Sequence, residues 1–498
     1  MYSFLSFLRK WGPPTLAVSI TIGLRLALAW VFSAEVADLT LYRQMANTVL
    51  RGDNIYYTPV LFPYTPVSLF VPAWCLQLAQ FTSLPFHLTM KLPAILGDAG
   101  IALILYWQAM QVGQTRRAFL LALAYALNPV SILITAFHGN IMALVVFFCL
   151  WAYVLAALDR DGRYYRLSAL SLGMAIGLRS FPLLLVPFFL RKMSLNWRQR
   201  FVYLALAALP SVVTLLPYLA VSFQVVLREA FSYSGFGDHG WLAIARAYWY
   251  VQTGSIWLPG RLGQDWLENS KVILLALYGV LVLWCWWKPQ RASLVGWIIA
   301  ALMLFYVAYG GVSSQYLTWV VPLGIVALDW WALAFTLAAT GSLVSFYLFF
   351  FPAILWGSFP SPLTYTQPQM MQVHLVLLVI FWLVCLGWLI RALWRSPRDI
   401  KAIVESTDER IPPTLGASPS ALRTRPSVGL VRIAKAAIVL YVLLVVGLEV
   451  QHIVQERSLE RLDVQMIWQM GAKGSAPGQL NGALGLAVDT SGNVYVAD

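Results

Sequence analysis

Residues 37–66, ADLTLYRQMANTVLRGDNIYYTPVLFPYTP, combine an acidic side chain, Asp38, with tyrosines and prolines directly after the first long apolar run. The next positions at the spacing of one helix face are Tyr42, Ala46 and Val49. This spacing predicts an amphipathic helix on the membrane surface, which Gly52 ends before a stiff aromatic loop that contains Tyr64. An acid held there suits chemistry on a polar substrate that a lipid carries. An ordinary extramembrane loop with an N-capping aspartate is the other open interpretation.

Few ionisable side chains lie inside the apolar runs, where such groups are costly and usually functional. They are Arg25, Asp98 and Arg179. Further polar candidates lie where later apolar runs begin or end: His138, Asn140, Gln315 and Tyr316. For each of these, a structural polar group that pairs with a neighbouring helix is the competing interpretation.

The longest loop between apolar runs contains four more charged or titratable groups: Arg228, Asp238, His239 and Arg246. Solvated loops carry such groups routinely, so we assign these four to solvent. The sequence has no Gly-rich phosphate loop, no Ser–His–Asp order and no His/Cys metal spacing. It therefore predicts no nucleotide, no metal and no other cofactor.

The composition is that of an integral membrane protein. Of 498 residues, 60% are hydrophobic and 11% are charged, and 22 are tryptophan. Apolar runs of about 20 residues, the length of a bilayer-spanning helix, recur along the chain. The net charge of +13 comes from cations that flank these runs, as the positive-inside rule describes, so it predicts a lipid bilayer and no nucleic acid as the partner. We expect a multi-pass protein of the cell or plasma membrane.

The apolar runs define a provisional topology. Candidate helices cover residues 14–33, 66–83, 87–111, 118–136, 141–158, 165–190, 201–222, 271–288, 291–309, 314–328, 330–351, 372–394 and 432–450. Cation clusters that we expect in the cytoplasm lie at residues 9–10, 116–117, 160–166, 191–200, 288–291 and 391–401. This topology puts the loops at 35–65 and 223–270 outside. It also puts Asp38, His138 and Gln315 at outer helix ends, so we predict that they share one external cavity.

Two segments break the simple alternation of inside and outside. Between the loop at 35–65, expected outside, and the cations at 116–117, expected in the cytoplasm, the chain must cross the membrane an odd number of times. Two apolar runs, 66–83 and 87–111, lie between these points, so we expect 66–83 to be re-entrant or partly inserted. Residues 165–190 have cations on both flanks, and the sequence GLRSFP splits them into halves too short to span a bilayer. A broken hairpin with Arg179 at its buried tip satisfies both flanks. The anionic partner of Arg179 is then expected to be Asp98 or a lipid phosphate.

The composition changes after the predicted transmembrane domain, residues 1–394. Residues 395–431 are a predicted basic cytoplasmic linker, and residues 432–450 are a predicted final transmembrane helix. Residues 451–498 end in two short alternating runs, GLAVD and NVYVAD, joined by a turn. This tail resembles the opening of an NHL-type β-propeller repeat. One blade cannot bury its own faces, so we expect a truncated external repeat.

Five motifs in order resemble the GT-C class of glycosyltransferases, closest to the GPI mannosyltransferase I and polyprenyl-phosphate-mannose-dependent mannosyltransferase groups. They are DLTLY at 38–42 with Gly52 and PYTP at 63–66, Asp98 in the third helix, Asn128-Pro129 followed by His138-Gly139-Asn140, GLRSFP at 177–182, and SQYLTW at 314–319. The resemblance covers roughly residues 14–330. It implies an all-α polytopic membrane protein, a GT-C-like bundle of about 11–13 transmembrane helices with external loops and a short β fragment at the C-terminus.

The resemblance implies transfer of a hexose, with mannose as the expected sugar, from a polyprenyl-phosphate donor at the external face. The acceptor, a glycolipid, glycan or protein, stays unidentified. Carried onto this chain, Asp38 is the general base, and Arg179 or a loop arginine faces the leaving phosphate. The other expected substrate-binding residues are Tyr42, Tyr64, Asp98, His138, Asn140, Gln315 and Tyr316. Where the GPI family has an acidic D-x-D pair, this chain has Asp38 and Thr40, so no bound metal is predicted.

Two other functions are compatible with the same residues. A transporter or flippase of a lipid-linked or small solute could use the buried Arg and Asp as a relay, and a membrane-anchored scaffold could act through the external propeller. A transporter needs polar groups mid-membrane and often shows an internal repeat. This sequence has no evident repeat, and most of its polar candidates gather at one predicted face. We therefore favour the enzyme.

Overall fold

The computed structural model describes residues 2–394 with short gaps, together with four short strands near the C-terminus. The gaps are residues 35–37, 59, 61, 111–114, 160–161, 194, 233–234, 289–291 and 357–366. The chain forms two compact units, Met1–Glu449 and Val450–Asp498. The predicted linker at 395–431 and the predicted helix at 432–450 lie outside the described residues.

The larger unit is helical. In chain order its helices are α1 (Tyr2–Val31), α2 (Asp38–Leu50), α3 (Val67–Thr82), α4 (Phe86–Met110), α5 (Thr115–Ala126), α6 (Pro129–Ile132), α7 (Met142–Leu158), α8 (Tyr165–Leu178), α9 (Val186–Lys192), α10 (Trp197–Ser232), α11 (Trp241–Thr253), α12 (Leu262–Trp287), α13 (Leu294–Ala308), α14 (Val321–Val326), α15 (Trp331–Phe350), α16 (Pro352–Trp356) and α17 (Gln367–Trp394). Short 3₁₀ turns occupy Ile55–Tyr57, Phe181–Leu185 and Ser314–Thr318, and a π-helical turn occupies Leu133–His138.

The length and composition of the helices confirm a multi-pass α-helical membrane protein. Within the described ranges, six helices are long and apolar enough to cross a membrane: Gly12–Val31, Phe86–Met110, Trp197–Val221, Leu262–Trp287, Trp331–Phe350 and Gln367–Trp394. The bent pair Thr115–Ala126 and Pro129–His138 makes up to seven. This number is smaller than the about 11–13 spans predicted, because other apolar helices, including α3, α7, α8 and α13, have only 10–17 residues.

Helix burial follows the distribution of apolar residues. Helices α7 and α13 are apolar on all sides, and most of their side chains are buried against neighbouring helices. Helices α10 and α12 instead leave many large apolar side chains on the surface, as lipid-facing helices do. Helix α4 packs on α1, α5 and α7, and α17 packs on α11, α13 and α15. The core therefore lies between these helices, whereas α10 and α12 flank it.

The helix predicted after the first apolar run is present as α2, and its location on the membrane surface stays a prediction. Its buried positions include the predicted Tyr42, Ala46 and Val49, and Gly52 follows its end with φ 81°. Helix α3 has 16 residues and packs on α2 and α4. The re-entrant insertion of residues 66–83 stays a prediction.

The break predicted within residues 165–190 is present. Helix α8 ends at Leu178, a 3₁₀ turn follows, and α9 begins at Val186. Gly162 before the segment lies against Gln199 after it, so the chain leaves and returns at one end of the bundle, while Arg179 lies at the other end beside Tyr42. The two halves do not form a simple paired hairpin, because α8 packs on α7 and α10 whereas α9 packs on α12 and α13.

The predicted external loop at 223–270 is wrong in its secondary structure. Helix α10 continues to Ser232, α11 covers Trp241–Thr253, and α12 begins at Leu262. Helix α11 buries Leu242, Ala243 and Ala247 and packs on α17. Its sequence, WLAIARAYWYVQT, is that of an amphipathic helix that mixes polar and aromatic residues. It contains no long apolar run from which the helix could be predicted.

Four short strands are described in the smaller unit. Ala472–Lys473 pairs with Gln479–Leu480 in parallel, and Gly485–Val488 pairs with Val494–Ala497 in antiparallel orientation. The second pair coincides with the GLAVD and NVYVAD runs. Two such pairs do not identify a propeller blade, so the NHL-type repeat stays a prediction.

Candidate functional site

Asp38, the first residue of α2, is held by two polar side chains, one at the end of the π-helical turn and one between that turn and α7. Its Oδ2 lies 3.0 Å from His138 Nε2 and accepts a hydrogen bond from Asn140 Nδ2. Within the described residues its Oδ1 accepts no hydrogen bond, and the side chain keeps 21% of its surface exposed. One oxygen of the carboxylate is therefore fixed and the other is available.

The surroundings of Asp38 favour its ionised form. Burial raises its pKa, but the attraction and hydrogen bond of His138, the amide of Asn140 and the charge of Arg179 lower it. The net pKa lies below the usual value of an aspartate. Asp38 is consequently a carboxylate at neutral pH, which is the form that can take a proton.

His138 connects Asp38 to α15. Its Nδ1 lies 2.8 Å from the Tyr347 hydroxyl, while its Nε2 faces the carboxylate. With a proton on Nε2 the imidazole donates to Asp38, and its Nδ1 forms the hydrogen bond with the Tyr347 hydroxyl, so both ring nitrogens are engaged. Because both nitrogens are engaged within the protein, we assign His138 to positioning Asp38, and its contact with substrate stays a prediction. Asn140 has the same role, since its Oδ1 accepts from the backbone N–H of Met142.

Arg179 lies at the break after α8 and is only 6% exposed. Its Nη2 donates to the Tyr42 hydroxyl at 2.8 Å, its Nη1 donates to the Leu178 carbonyl at 3.0 Å, and its guanidinium carbon lies 3.9 Å from the centre of the Tyr64 ring. Among the described residues no carboxylate forms an ion pair with it. Arg179 is therefore a buried cation without a countercharge in direct contact.

Asp98 does not belong to this site. It is fully buried and pairs with Arg25, whose Nε lies 2.5 Å from Asp98 Oδ2. Tyr125 and Ser131 donate to Asp98 Oδ1, and Arg25 also donates to Ser131 Oγ and to the Ala126 carbonyl. The predictions that Asp98 binds substrate or pairs with Arg179 are both wrong. The closer cation on α1 already satisfies the carboxylate.

One cavity is lined by Arg179 and a second by Asp38. The narrow cavity, about 330 Å³, is lined by Tyr64, Arg179, Phe181, Leu183, Leu184, Lys271, Leu274, Leu275, Phe305, Tyr309, Tyr316 and Trp319, among others. The wide cavity, about 620 Å³, is lined by Asp38, His138, Phe236, Asp238, Arg246, Trp257, Gln315, Phe346, Phe350, Phe351, Met371 and His374, among others.

A small junction pocket, about 20 Å³, shares Tyr64 and Arg179 with the narrow cavity and Asp38 and Gln315 with the wide one. The predicted shared cavity of Asp38, His138 and Gln315 is present as the wide cavity.

Gln315 and Tyr64 line the junction pocket, and Tyr316 lines the narrow cavity beside it. The Gln315 side chain is nearly buried, lines both the junction and the wide cavity, and forms no side-chain hydrogen bond within the described ranges. The Tyr316 ring packs against Phe305 and Trp319 in the wall of the narrow cavity. Tyr64 stacks under Arg179. An amide without a partner at this place is available to a ligand.

The wide cavity contains a second acid that we had assigned to solvent. Asp238 lies in the loop GFGDHG at 235–240, and its Oδ2 accepts from the Ser314 backbone N–H at 3.3 Å and the Ser314 hydroxyl at 3.4 Å. Burial raises the pKa of Asp238 to about 6, although the Ser314 N–H, His138 and Arg246 lower it. The environments of Asp38 and Asp238 thus separate their pKa values, a pattern typical of active sites.

His239 is also corrected from solvent to interior. It is fully buried between Ser342 and Ser314, at 2.8 and 3.1 Å, and burial lowers its pKa well below the usual value. The signal that we missed is the composition of the loop itself, since three glycines around an acid and a histidine indicate a tightly built turn. Arg228, by contrast, pairs with Glu229 and is exposed, as expected of a solvated residue.

The described residues contain no group of three or more His, Cys, Asp or Glu side chains that could hold a metal ion. No protein-family model matches this chain, and no curated protein is detectably similar to it.

Proposed function

We propose that this chain is an integral membrane glycosyltransferase that moves a hexose, mannose by the resemblance, from a polyprenyl-phosphate donor to an acceptor hydroxyl. The GT-C-like fold, with the short C-terminal strands as part of an NHL-type repeat, belongs to the same proposal. One observation carries it. An ionised carboxylate with a free oxygen and a buried cation without a carboxylate partner line one small pocket, and that pocket shares lining residues with each of two larger cavities.

The narrow cavity has the chemistry of a lipid phosphate site. Arg179 supplies a cation, and the tyrosines around it supply polar groups at the same end. Leucine, phenylalanine and tryptophan side chains line the rest, as an isoprenoid chain requires. A guanidinium binds phosphate with two parallel hydrogen bonds, so Arg179 is the expected contact of the donor phosphate.

The reaction then follows from the two fixed charges. Asp38 Oδ1 takes the proton of the acceptor hydroxyl. At the same time the acceptor oxygen forms a bond to the anomeric carbon of the sugar. The bond from that carbon to the phosphate oxygen breaks, and the leaving polyprenyl phosphate keeps the electron pair. Arg179 stabilises the negative charge that develops on the phosphate. Asp38 afterwards returns its proton to water, and the anomeric configuration is inverted because attack and departure occur on opposite sides.

The arrangement of the helices supports an external site. Tyr347 lies near the C-terminal end of α15, and His138 lies just before α7 begins. At the other ends of these helices are basic residues, including Arg391, which pairs with Asp329 before α15 begins. Basic ends face the cytoplasm in membrane proteins, so the ends that carry Asp38 and His138 are expected to face outward.

A transfer assay with purified protein in nanodiscs tests this function. The donor is a radiolabelled polyprenyl-phosphate mannose, and lipid and glycan acceptors are tried with it. Asp38→Asn keeps the size of the side chain but cannot take a proton, so we expect turnover to fall by about 10³-fold with folding intact. Asp53→Asn is the matched control, because Asp53 is an exposed acid just after the same helix. Near-normal turnover by Asp38→Asn would remove Asp38 from the base role.

The rival function, a transporter or flippase, gives a different result in the same preparation. Proteoliposomes would then move the intact lipid-linked sugar between leaflets without cleaving its sugar–phosphate bond. Sugar transfer that depends on Asp38 excludes a pure flippase. Donor movement without sugar release would replace the enzyme by the transporter.

A further inference from the structure

The loop 235–240 has a built conformation that holds Asp238 at the wide cavity. Gly235 and Gly237 adopt φ 75° and 69°, and a Cβ on either would collide with the carbonyl oxygen of Gly311 or Gly310. His239 forms a backbone bridge with Val312 and is fixed by two serine hydroxyls. These contacts restrain Asp238 at the wall of the wide cavity.

Asp238 is only weakly engaged by the protein. Its two contacts to Ser314 are long, at 3.3 and 3.4 Å, and its Oδ1 accepts no hydrogen bond among the described residues. Arg246 lines the same cavity, but it donates hydrogen bonds to the carbonyls of Phe236 and Gly237 rather than to Asp238. A carboxylate oxygen without a donor at a cavity wall indicates a ligand that supplies one.

The charge of the wide cavity limits the class of that ligand. Asp38 and Asp238 both line it, and Arg246, which also lines it, donates from Nη1 to the carbonyls of Phe236 and Gly237. An anionic group placed between the two acids would be repelled. The polar end of the ligand is therefore uncharged and rich in donors, or cationic.

Aromatic rings complete the wide cavity. Trp257 is 74% exposed, so its ring is accessible from the cavity, and Phe236, Phe350 and Phe351 also line the same wall. A sugar-binding site combines two kinds of contact. Carboxylate oxygens accept hydrogen bonds from sugar hydroxyls, and aromatic rings cover the apolar C–H face of the sugar. A volume of about 620 Å³ is within the range of small-ligand pockets.

We propose that the wide cavity binds an uncharged sugar residue as the acceptor, and that Asp238 accepts a hydrogen bond from a hydroxyl other than the reacting one. This assignment rests on the proposed function, since it gives a substrate class to the acceptor side of the same site. Asp238 then binds the acceptor while Asp38 activates it. Trp257 provides the stacking surface.

The first test measures acceptor kinetics in nanodiscs, because glycoside detergents would compete for the cavity. The probes are methyl hexosides of gluco, manno and galacto configuration, with the corresponding uronic acid and amino sugar glycosides. Asp238→Asn is expected to raise the acceptor KM about tenfold, the loss of one hydrogen bond to a charged group, with kcat changed by less than about threefold. Asp265→Asn, at an exposed acid of α12, is the matched control.

The charge of the acceptor gives an independent prediction. For the wild type, kcat/KM should be at least about tenfold lower with the uronic acid glycosides than with the neutral glycosides. In Asp238→Asn this difference in kcat/KM should be smaller, because one repelling charge is gone. Trp257→Ala removes an exposed ring, so it leaves the fold intact and should raise the acceptor KM as well. Unchanged KM in both variants, or a wild-type preference for the uronic acid or amino sugar, overturns the proposal.

Binding without donor separates this proposal from the proposed function. Saturation-transfer NMR of the neutral methyl hexosides should show contact with the wild type and a loss in Asp238→Asn. Asp38-dependent transfer with no effect of Asp238 refutes the acceptor site alone. Binding that depends on Asp238, without transfer by the wild type, refutes the transferase and leaves a sugar-binding cavity. Absence of both refutes both.

Discussion

Arg25 and Asp98, between α1 and α4, form a closed ion pair, whereas Arg179 and Asp38 line one pocket without forming an ion pair. Both oxygens of Asp98 accept hydrogen bonds, and Arg25 also donates hydrogen bonds to Ser131 and to a backbone carbonyl. Asp38 keeps one free oxygen, and Arg179 faces tyrosines. The two regions use the same pair of residue types for different purposes.

Hydrogen bonding separates a structural charge from a functional one in this membrane protein. A buried charge that is fully hydrogen-bonded has no capacity left for a ligand, and its removal leaves the partner uncompensated. A buried charge beside a cavity with unused donors or acceptors retains that capacity. The predictions below test this distinction between the closed pair and the open pair.

The largest expected effect is on stability at the closed pair. Asp98→Ala leaves Arg25 charged and buried without its carboxylate, which should cost about 3–5 kcal/mol of unfolding free energy. Thermal unfolding in detergent, followed by fluorescence size exclusion, should show early loss of the folded peak. Arg25→Met combined with Asp98→Leu should recover part of the loss, since no lone charge remains. A stable Asp98→Ala protein would contradict the closed-pair account.

The open pair should respond in activity rather than in folding. Arg179→Leu is expected to raise the donor KM about 100-fold, and Arg179→Lys about tenfold, because a point charge replaces the bidentate guanidinium. Both variants should elute as folded protein. If Arg179→Leu instead unfolds the protein and donor binding by the survivors is normal, Arg179 is a structural residue.

Removal of the residue that positions Asp38 should have a smaller effect. His138→Phe takes away the hydrogen bond and the attraction that lower the pKa of Asp38, so that pKa should rise. The base is active when ionised, so the acidic limb of the kcat/KM profile should move to higher pH, with a loss of about tenfold near neutrality. His138→Gln keeps a donor and should shift the limb less. An unchanged limb in His138→Phe would mean that His138 does not act through Asp38.

The smallest predicted effect concerns Asp238, whose pKa is raised to about 6. Above that pH the side chain is a carboxylate and accepts from a hydroxyl, and below it the protonated form binds the acceptor less well. The acceptor KM of the wild type should therefore rise by about threefold as the pH falls through 6. The groups that face it are Asp38, His138 and Arg246, so Asp238→Asn is needed as the reference. The same rise in that variant would assign the effect to another group.

Some parts of the site follow from local sequence. The helical spacing of Tyr42, Ala46 and Val49 predicted α2, and the short halves around GLRSFP predicted the break at Arg179. Cation placement predicted that Asp38, His138 and Gln315 would meet. These features depend on periodicity, helix length and charge asymmetry, which are properties of the chain in one dimension.

Other parts depend on which helices become neighbours. Asp98 lies within an apolar run, which is the position expected of a functional acid. Only the packing of α1 on α4 shows that Arg25 is its partner. Asp238 lies in a segment without an apolar run, and its burial comes from contacts of its glycines with residues 310–311. Sequence spacing carries no information on such long-range contacts, so both residues were assigned to the wrong environment.

A structure in nanodiscs with a polyprenyl-phosphate mannose bound tests the central claim most directly. We expect the phosphate to contact the Arg179 guanidinium, the isoprenoid chain to fill the narrow cavity, and the sugar to lie in the junction pocket within reach of Gln315 and Asp38 Oδ1. A phosphate bound away from Arg179, or a sugar on the side of the molecule opposite to Asp38, would contradict the proposed reaction.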